Sequence, residues 1–356
     1  MLPNRPHHIA PAIESARVVL VYKNYAGPHH SSLVGLGISS LLTAKVLRES
    51  GIWAEVWGIK SAQELNKRLH RAHCKAKENG EAEPTHVVIA APFIPTCELE
   101  VLASEWPEIV FTVVSHSNFP FLQADPHAIR LLRETARLQH MTHNVRIGGV
   151  TAKFTELASE IWHSDVALLP NLYDLGSPQT RSPWRDGDTL RIGLFGSLRV
   201  LKNPLNAVAA AIDLSVQLKV PTELYLSCGR DDQSAESEAI DELTAGVDGF
   251  TVIRSEWRSW PCFRELVGRM SVLLQTSFTE SFNVVTADGI AEGVPSVVSD
   301  AIDWTPATWV ASADDGRDIA RVAEMLLRDR NAARDGRAAL EQYIARGLEL
   351  WRAFLL

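Results

Sequence analysis

The sequence predicts an α/β protein of two Rossmann-like domains, and three patterns predict it. Residues 17–59 run strand, loop, helix, strand, the opening of a doubly wound sheet. Residues 175–189 are rich in Gly, Pro, Ser and Asp and read as a linker. A second strand set starts at Leu190, and residues 271–300 (SVLLQTSFTESFNVVTADGIAEGVPSVVSD) again run strand, loop, helix, strand. At 356 residues the chain is long for one core and typical for two. Its hydrophobic content of 46% suffices for packed α/β layers.

Residues 1–16 read as an irregular arm. The apolar run at 17–22 (RVVLVY) is a buried strand. The loop at 23–37 (KNYAGPHHSSLVGLG) carries glycines, but not at the spacing of a dinucleotide fingerprint, so no nicotinamide site is expected. His29 and His30 are adjacent, and adjacent side chains rarely converge on one ion; they read as a polar loop lining a cleft. An amphipathic helix at 38–49 stops at Ser50-Gly51, and 53–59 (WAEVWGI) is the next strand.

Residues 64–77 (ELNKRLHRAHCKAK) hold five Lys/Arg and two His at helical density. They read as a solvated helix face, with a phosphate-contacting patch as the alternative. No aromatic–basic interleaving accompanies them along the chain. Strands follow at 86–91 and 110–115, and the second ends in His116-Ser117-Asn118, at the ligand edge of the sheet. Residues 144–149 and 166–174 complete the first half.

In the second half, a strand at 190–195 leads into GSLRVLKNP (196–204) and an alanine-rich helix at 205–218. A glycine turn between strand and helix N-terminus favours an anion, and Arg199 and Lys202 supply counter-charge there. Strands at 222–228 and 250–253 come next, the latter followed by SEWRSWP with Trp257. A buried strand at 272–274 enters a polar turn ending at Glu280. The helix at 284–292 is stopped by Gly293 and Pro295, before a strand at 297–298. Glu280 and Asp288 thus lie eight positions apart at a ligand edge, where two acceptor-only groups suit a hydroxyl-rich ligand. Residues 317–330 and 331–355 are helical by periodicity, and Asp186-Gly187-Asp188 reads as a linker turn.

The 271–300 unit resembles the donor-binding signature of retaining GT-B glycosyltransferases of family 4 (glycosyl transferases group 1). Glu280, Phe282, Asp288, Ala291, Gly293 and Pro295 fall in register; Ser281 and Asn283 stand for glycines, and Asp288 for a second glutamate. Gly196, Lys202 and Asn203 match the family's phosphate loop, with Ser197 where an arginine is common. Pro170 to Asp174 resembles its interdomain lead-in, with Leu172 for glycine. The resemblance implies two domains facing across a cleft and a final helix returning to the first. The expected division is 1–175 acceptor-side domain, 176–189 linker, 190–335 donor domain and 336–356 returning helix.

The same resemblance implies transfer of a sugar from a UDP- or GDP-linked donor to an acceptor hydroxyl, with retention and without a metal or other cofactor. It gives Arg199 and Lys202 the diphosphate, Glu280 the sugar hydroxyls, Asp288 the ribose and His116 the sugar from the opposite domain. Gly196, Ser197, Asn203, Phe282, Asn283 and Val284 join the donor site, and Trp257 approaches the base. Gly27, His29, His30 and Ser31 form the acceptor-side loop.

Bulk properties narrow the rest. The net charge is −8, with 16 Lys/Arg and 17 Asp/Glu in residues 1–178 against 19 and 26 in 179–356. All 12 histidines lie in the first half, which fits halves that meet different ligands. Global attraction to nucleic acid is excluded, though a local patch is not. The chain has no apolar run of bilayer length and no apolar signal core, and its four cysteines form no CxxC pair, so a cytoplasmic protein with reduced thiols is expected. The acceptor is a saccharide, a small molecule or a hydroxymethylated DNA base. Two further alternatives are a nucleotide-sugar-binding protein without turnover and another GT-B user of sugar nucleotides, such as an epimerase or a phosphorylase. No lysine motif for a pyridoxal cofactor supports a phosphorylase.

Overall fold

A computed structural model of the protein describes residues 16–24, 35–80, 82–179, 184–227, 235–256 and 258–356. The first domain alternates strand and helix: β1 (Arg17–Lys23), α1 (Gly35–Glu49), β2 (Trp53–Ile59), α2 (Ala62–Asn79), β3 (His86–Ile89) and α3 (Thr96–Glu105). It continues through β4 (Val110–Ser115), α4 (Phe119–Leu122), α5 (Pro126–Met141), β5 (Val145–Gly149), α6 (Ala152–Trp162) and β6 (Val166–Leu168). Side-chain caps start several of these helices: Ser61, Asp125 and Thr151 accept the N–H of Glu64, Ala128 and Phe154.

The second domain holds β7 (Leu190–Leu194), α7 (Pro204–Leu218), β8 (Thr222–Ser227), α8 (Ala235–Thr244), β9 (Phe250–Ser255) and α9 (Trp260–Val267). Then come β10 (Val272–Gln275), α10 (Val284–Ala291), β11 (Ser296–Val298), α11 (Gly316–Arg328) and α12 (Ala332–Leu355).

Among the described residues every strand pair is parallel. The first sheet runs β2-β1-β3-β4-β5-β6 and the second β11-β10-β7-β8-β9. Helices cover both faces, which is why β3 and β10 are buried along their whole length and read as continuous apolar runs. Strand order reverses between β1 and β3 in one sheet and between β7 and β10 in the other. At such a reversal the outgoing loops diverge to opposite faces and leave a crevice. The loops after β7 and β10 are the two that the sequence marks with Arg199, Lys202 and Glu280.

The halves are joined by more than the linker. Ile38 and Leu42 of α1 share one core with Leu194, Leu274 and Trp309 of the second domain. The last helix lies on that core through Ala332 and Leu340 and ends on a core of the first domain, where Trp351 and Leu355 pack with Val18 and Leu20. Trp351 Nε1 donates to the Pro170 carbonyl at 2.8 Å. Gly347 lets the helix lie this close, because a Cβ there would sit 2.8 Å from Leu172 Cδ2. The returning helix expected from the sequence is thus present.

Candidate functional site

The loop after β7 turns on Gly196, whose φ of +115° is one that residues with a side chain rarely adopt. A short 3-10 turn, Val200–Lys202, and a left-handed Asn203 then bring Pro204 to the first position of α7. The turn uses much of its own backbone. The N–H groups of Gly196, Lys202 and Asn203 donate to Ser227 Oγ, Arg199 O and Val200 O. The side chains of Arg199 and Lys202 both line the cavity beside this turn. Arg199 is exposed at the cavity wall, with no ion-pair partner among the described residues.

Lys202 Nζ contacts Glu280 Oε1. Burial, and after it the Arg199 guanidinium, push Lys202 down to about 8, so it remains an ammonium at neutral pH. The carboxylate beside it acts in the opposite sense. Lys202 also sits 5.5 Å from the ring centroid of Phe121, from the first domain.

Glu280 is 5% exposed and is held on several sides. Asn283 Nδ2 donates to its Oε1 at 3.3 Å, and the Ser281 N–H to its Oε2 at 3.3 Å. Asn283 has φ +58°, and its own Oδ1 caps α10 by accepting from the Thr286 N–H at 2.9 Å. Asparagine here therefore takes the left-handed conformation expected of a glycine and adds a clamp on the carboxylate.

Asp288, on the second turn of α10, is 1% exposed. Tyr173 OH and Trp260 Nε1 donate to its Oδ1 at 2.6 and 3.0 Å. Burial pushes its carboxyl up to about 7, against the pull of those two hydrogen bonds. His116, just past β4, is part-buried, and burial pushes its imidazole down to about 4. It is neutral at physiological pH and offers one donor and one acceptor nitrogen.

One cavity of about 340 Å³ gathers these groups. Its lining includes His116, Gly196, Ser197, Arg199, Lys202, Glu280, Phe282, Asn283, Val284 and Asp288, together with Gly35 and Ser39 of α1. Phe282 lines it while stacking on Trp304 and Tyr343, at ring distances of 5.2 and 5.4 Å, so most of its work is packing. Asn203 is not brought to the wall. It is buried, and its amide donates to the carbonyls of Thr276 and Ala313 at 3.0 and 2.5 Å. The expectations on Trp257, Gly27, His29, His30 and Ser31 lie outside the described residues.

Several residues at the site were not named as such from the sequence, among them Arg258 and Phe263 of the cavity wall. Tyr173 and Trp260 hold Asp288, and Asn118 Nδ2 donates to the Glu280 carbonyl at 2.5 Å. Asn118 adjoins His116, and Tyr173 lies in the lead-in segment, so both stood beside recognised signals. Trp260 stands three positions after Trp257 in the same SEWRSWP segment, so it too lay beside a recognised signal. Among the described residues no group of three or more His, Cys, Asp or Glu is placed to hold a metal ion. Cys74, Cys97 and Cys262 are exposed free thiols. No described helix is long and apolar enough to cross a membrane.

Comparison with protein families finds no match, and none of the curated proteins matches. Solved structures do. HepE of Anabaena, solved with UDP-glucose, aligns over 95% of this chain and 99% of its own, with TM-score 0.62 and 14% identity. Sucrose-phosphate synthase of Thermosynechococcus elongatus aligns over 95% and 98%, with TM-score 0.63 and 13% identity. A UDP-forming trehalose-phosphate synthase of Burkholderia xenovorans aligns over 95% and 97%, with TM-score 0.56 and 15% identity.

The chain has the GT-B fold. At these identities the likeness is one of architecture. It places the cavity between the two domains of a GT-B protein, with residues of both in its wall.

Proposed function

We propose that the protein is a glycosyltransferase that moves a sugar, with retention, from a nucleotide-diphosphate donor to an acceptor hydroxyl. One observation carries this reading: the cations Arg199, Lys202 and Arg258 and the buried carboxyl groups of Glu280 and Asp288 converge on a single interdomain cavity, opposite a neutral histidine. HepE, solved with UDP-glucose, makes UDP-linked donors the first to try.

In this reading Arg199 and Lys202 take the diphosphate and offset the negative charge that grows on it as the glycosidic bond breaks. Glu280, held by Asn283 and Ser281, accepts hydrogen bonds from the sugar hydroxyls. Asp288 accepts from the ribose with the oxygen that Tyr173 and Trp260 leave free. His116, being neutral, donates to or accepts from the sugar without adding charge. The leaving diphosphate takes the acceptor proton on the same face, so the protein's task is positioning and charge stabilisation.

A thermal-shift screen with UDP- and GDP-linked sugars, paired with an assay for nucleoside diphosphate release, tests the proposal. A true donor at about 100 times its dissociation constant adds roughly 2.7 kcal/mol of stability. A donor that stabilises the protein but is never turned over supports the binding-only alternative. No shift and no release with any donor overturns both.

A further inference from the structure

The basic stretch on α2 has no role in the interdomain cavity, and the structure gives it a setting that the chain order hides. Residues Trp53, Glu55 and Trp57 alternate onto one face of β2, the edge strand of the first sheet. Helix α2 packs on that face through Leu65 and Leu69, and both tryptophans lie against the same core, partly buried. Between strand and helix runs a groove of about 850 Å³ lined by Trp53, Trp57, Arg17, Lys67, Arg71 and Lys75. It shares no lining residue with the interdomain cavity. Arg17 and Pro84, at the starts of β1 and β3, put its floor at the opposite edge of the sheet from His116.

The charges of the groove are unbalanced. Its two carboxylates are engaged: Glu64 pairs with Arg68 at 3.2 Å, and Glu55 accepts from Trp57 Nε1 at 2.9 Å. His70 is paired with Glu105 at 2.8 Å. Lys67, Arg71 and Lys75 are exposed and have no ion-pair partner among the described residues. They stand four residues apart on one helix face, a rise of about 6 Å per step. That is close to the spacing of neighbouring phosphates along an extended single strand. Arg17 lies over the Trp53 ring, 5.0 Å from its centroid, which leaves the partly buried Trp57 as the indole on which a base can stack. Cations that track a backbone, beside aromatic platforms, are the pattern of single-stranded nucleic-acid grooves.

Two other occupants fit less well. Strand addition by a peptide is obstructed, because Arg48 and Arg68 donate to the outward carbonyls of Ala54 and Gly58 at 2.8 and 3.0 Å. A bilayer surface needs protruding apolar side chains, and neither β2 nor α2 carries an exposed large hydrophobic residue. We propose that the β2–α2 groove binds single-stranded nucleic acid, with Lys67, Arg71 and Lys75 on the phosphates and Trp57 stacking on a base. The inference stands apart from the sugar-transfer reading, and donor turnover is measured separately.

The test is fluorescence anisotropy of a labelled oligonucleotide of about 12 residues with the full chain. Binding is expected to weaken steeply with salt. Replacing Lys67, Arg71 and Lys75 together with Ser should lower affinity at least tenfold and reduce the log–log salt slope by about 2. Trp57→Leu should weaken oligonucleotide binding and leave the binding of dextran sulfate, which has charge but no bases, unchanged. Failure of the wild type to bind at low salt overturns the proposal. So does a triple variant that binds as well as wild type. Dextran sulfate or phosphatidylserine vesicles binding more tightly than the oligonucleotide at equal salt would also overturn it.

Discussion

Asn118 and Glu280, 162 positions apart, meet across the cleft: Asn118 Nδ2 donates to the Glu280 carbonyl at 2.5 Å. The other end of the same amide accepts from Thr151 Oγ1 at 2.6 Å. Thr151 caps α6, so the loop between β10 and α10 is pinned to a helix start of the first domain. The backbone of the candidate sugar-binding residue is thereby set by the opposite half of the protein.

Asn118→Ala is expected to lower stability by about 1–3 kcal/mol, since it strands a buried carbonyl and a hydroxyl. Donor turnover should fall as well, because the Glu280 loop loses its anchor. Urea unfolding and nucleoside diphosphate release measure the two effects. Unchanged values in both would show that the amide is a bystander.

Lys202→Ala should weaken donor affinity by about 1.5–3 kcal/mol, the worth of a charge-assisted hydrogen bond. It also removes the counter-charge of Glu280, which is 5% exposed, so the melting temperature should fall. Arg199→Ala touches no ion pair among the described residues and should weaken the donor without that loss of stability. Titration with the donor separates them, and equal affinity in wild type and both variants removes the diphosphate assignment.

Glu280→Gln keeps size and several contacts but loses the charge facing Lys202. The fold should persist while transfer falls steeply. A fully active variant would mean that the carboxylate serves only to hold Lys202 and α10 in place.

Asp288 gives a pH signature. An unfolded aspartate releases its proton near about pH 4, whereas the folded group holds it to about 7. Between these values the folded state binds more protons, so this group's contribution to stability falls as pH rises through the window. Asp288→Asn removes that penalty and keeps an acceptor for Tyr173 and Trp260. Its stability advantage over wild type should be absent below about pH 4 and grow to on the order of 4 kcal/mol above 7. Melting curves of both proteins across this range decide it, and parallel profiles would show that Asp288 ionises normally in the folded chain.

Most of the strands were legible because a parallel strand covered on both faces is an unbroken apolar run. Residues 17–22 and 110–115 show this, and the edge strand at 53–59 was legible from its aromatic and β-branched residues; each matches its strand to within one residue. Helices α3, α4, α5, α6, α8 and α9 were not anticipated. Some carry local start signals, such as Asp125-Pro126 and Thr151, but none carries a chemical motif that draws the eye. The carboxylates and cations of the site were legible because their order along two loops is a motif. Asn203 was in that order too, yet its amide turned inward to hold the chain.

The sequence by itself determined the two α/β halves and the order of glycine, cations and carboxylates along the loops that follow β7 and β10. Periodicity and turn chemistry act over a few residues, and a linear string records them. Only the tertiary structure decided that Tyr173 reaches Asp288, that Asn118 reaches Glu280, and that Trp53 and Trp57 stand beside the cations of α2. Those contacts join residues far apart in the chain. They form only when parallel sheets bring their strand ends together and helices fold back over them, and no local pattern encodes that geometry.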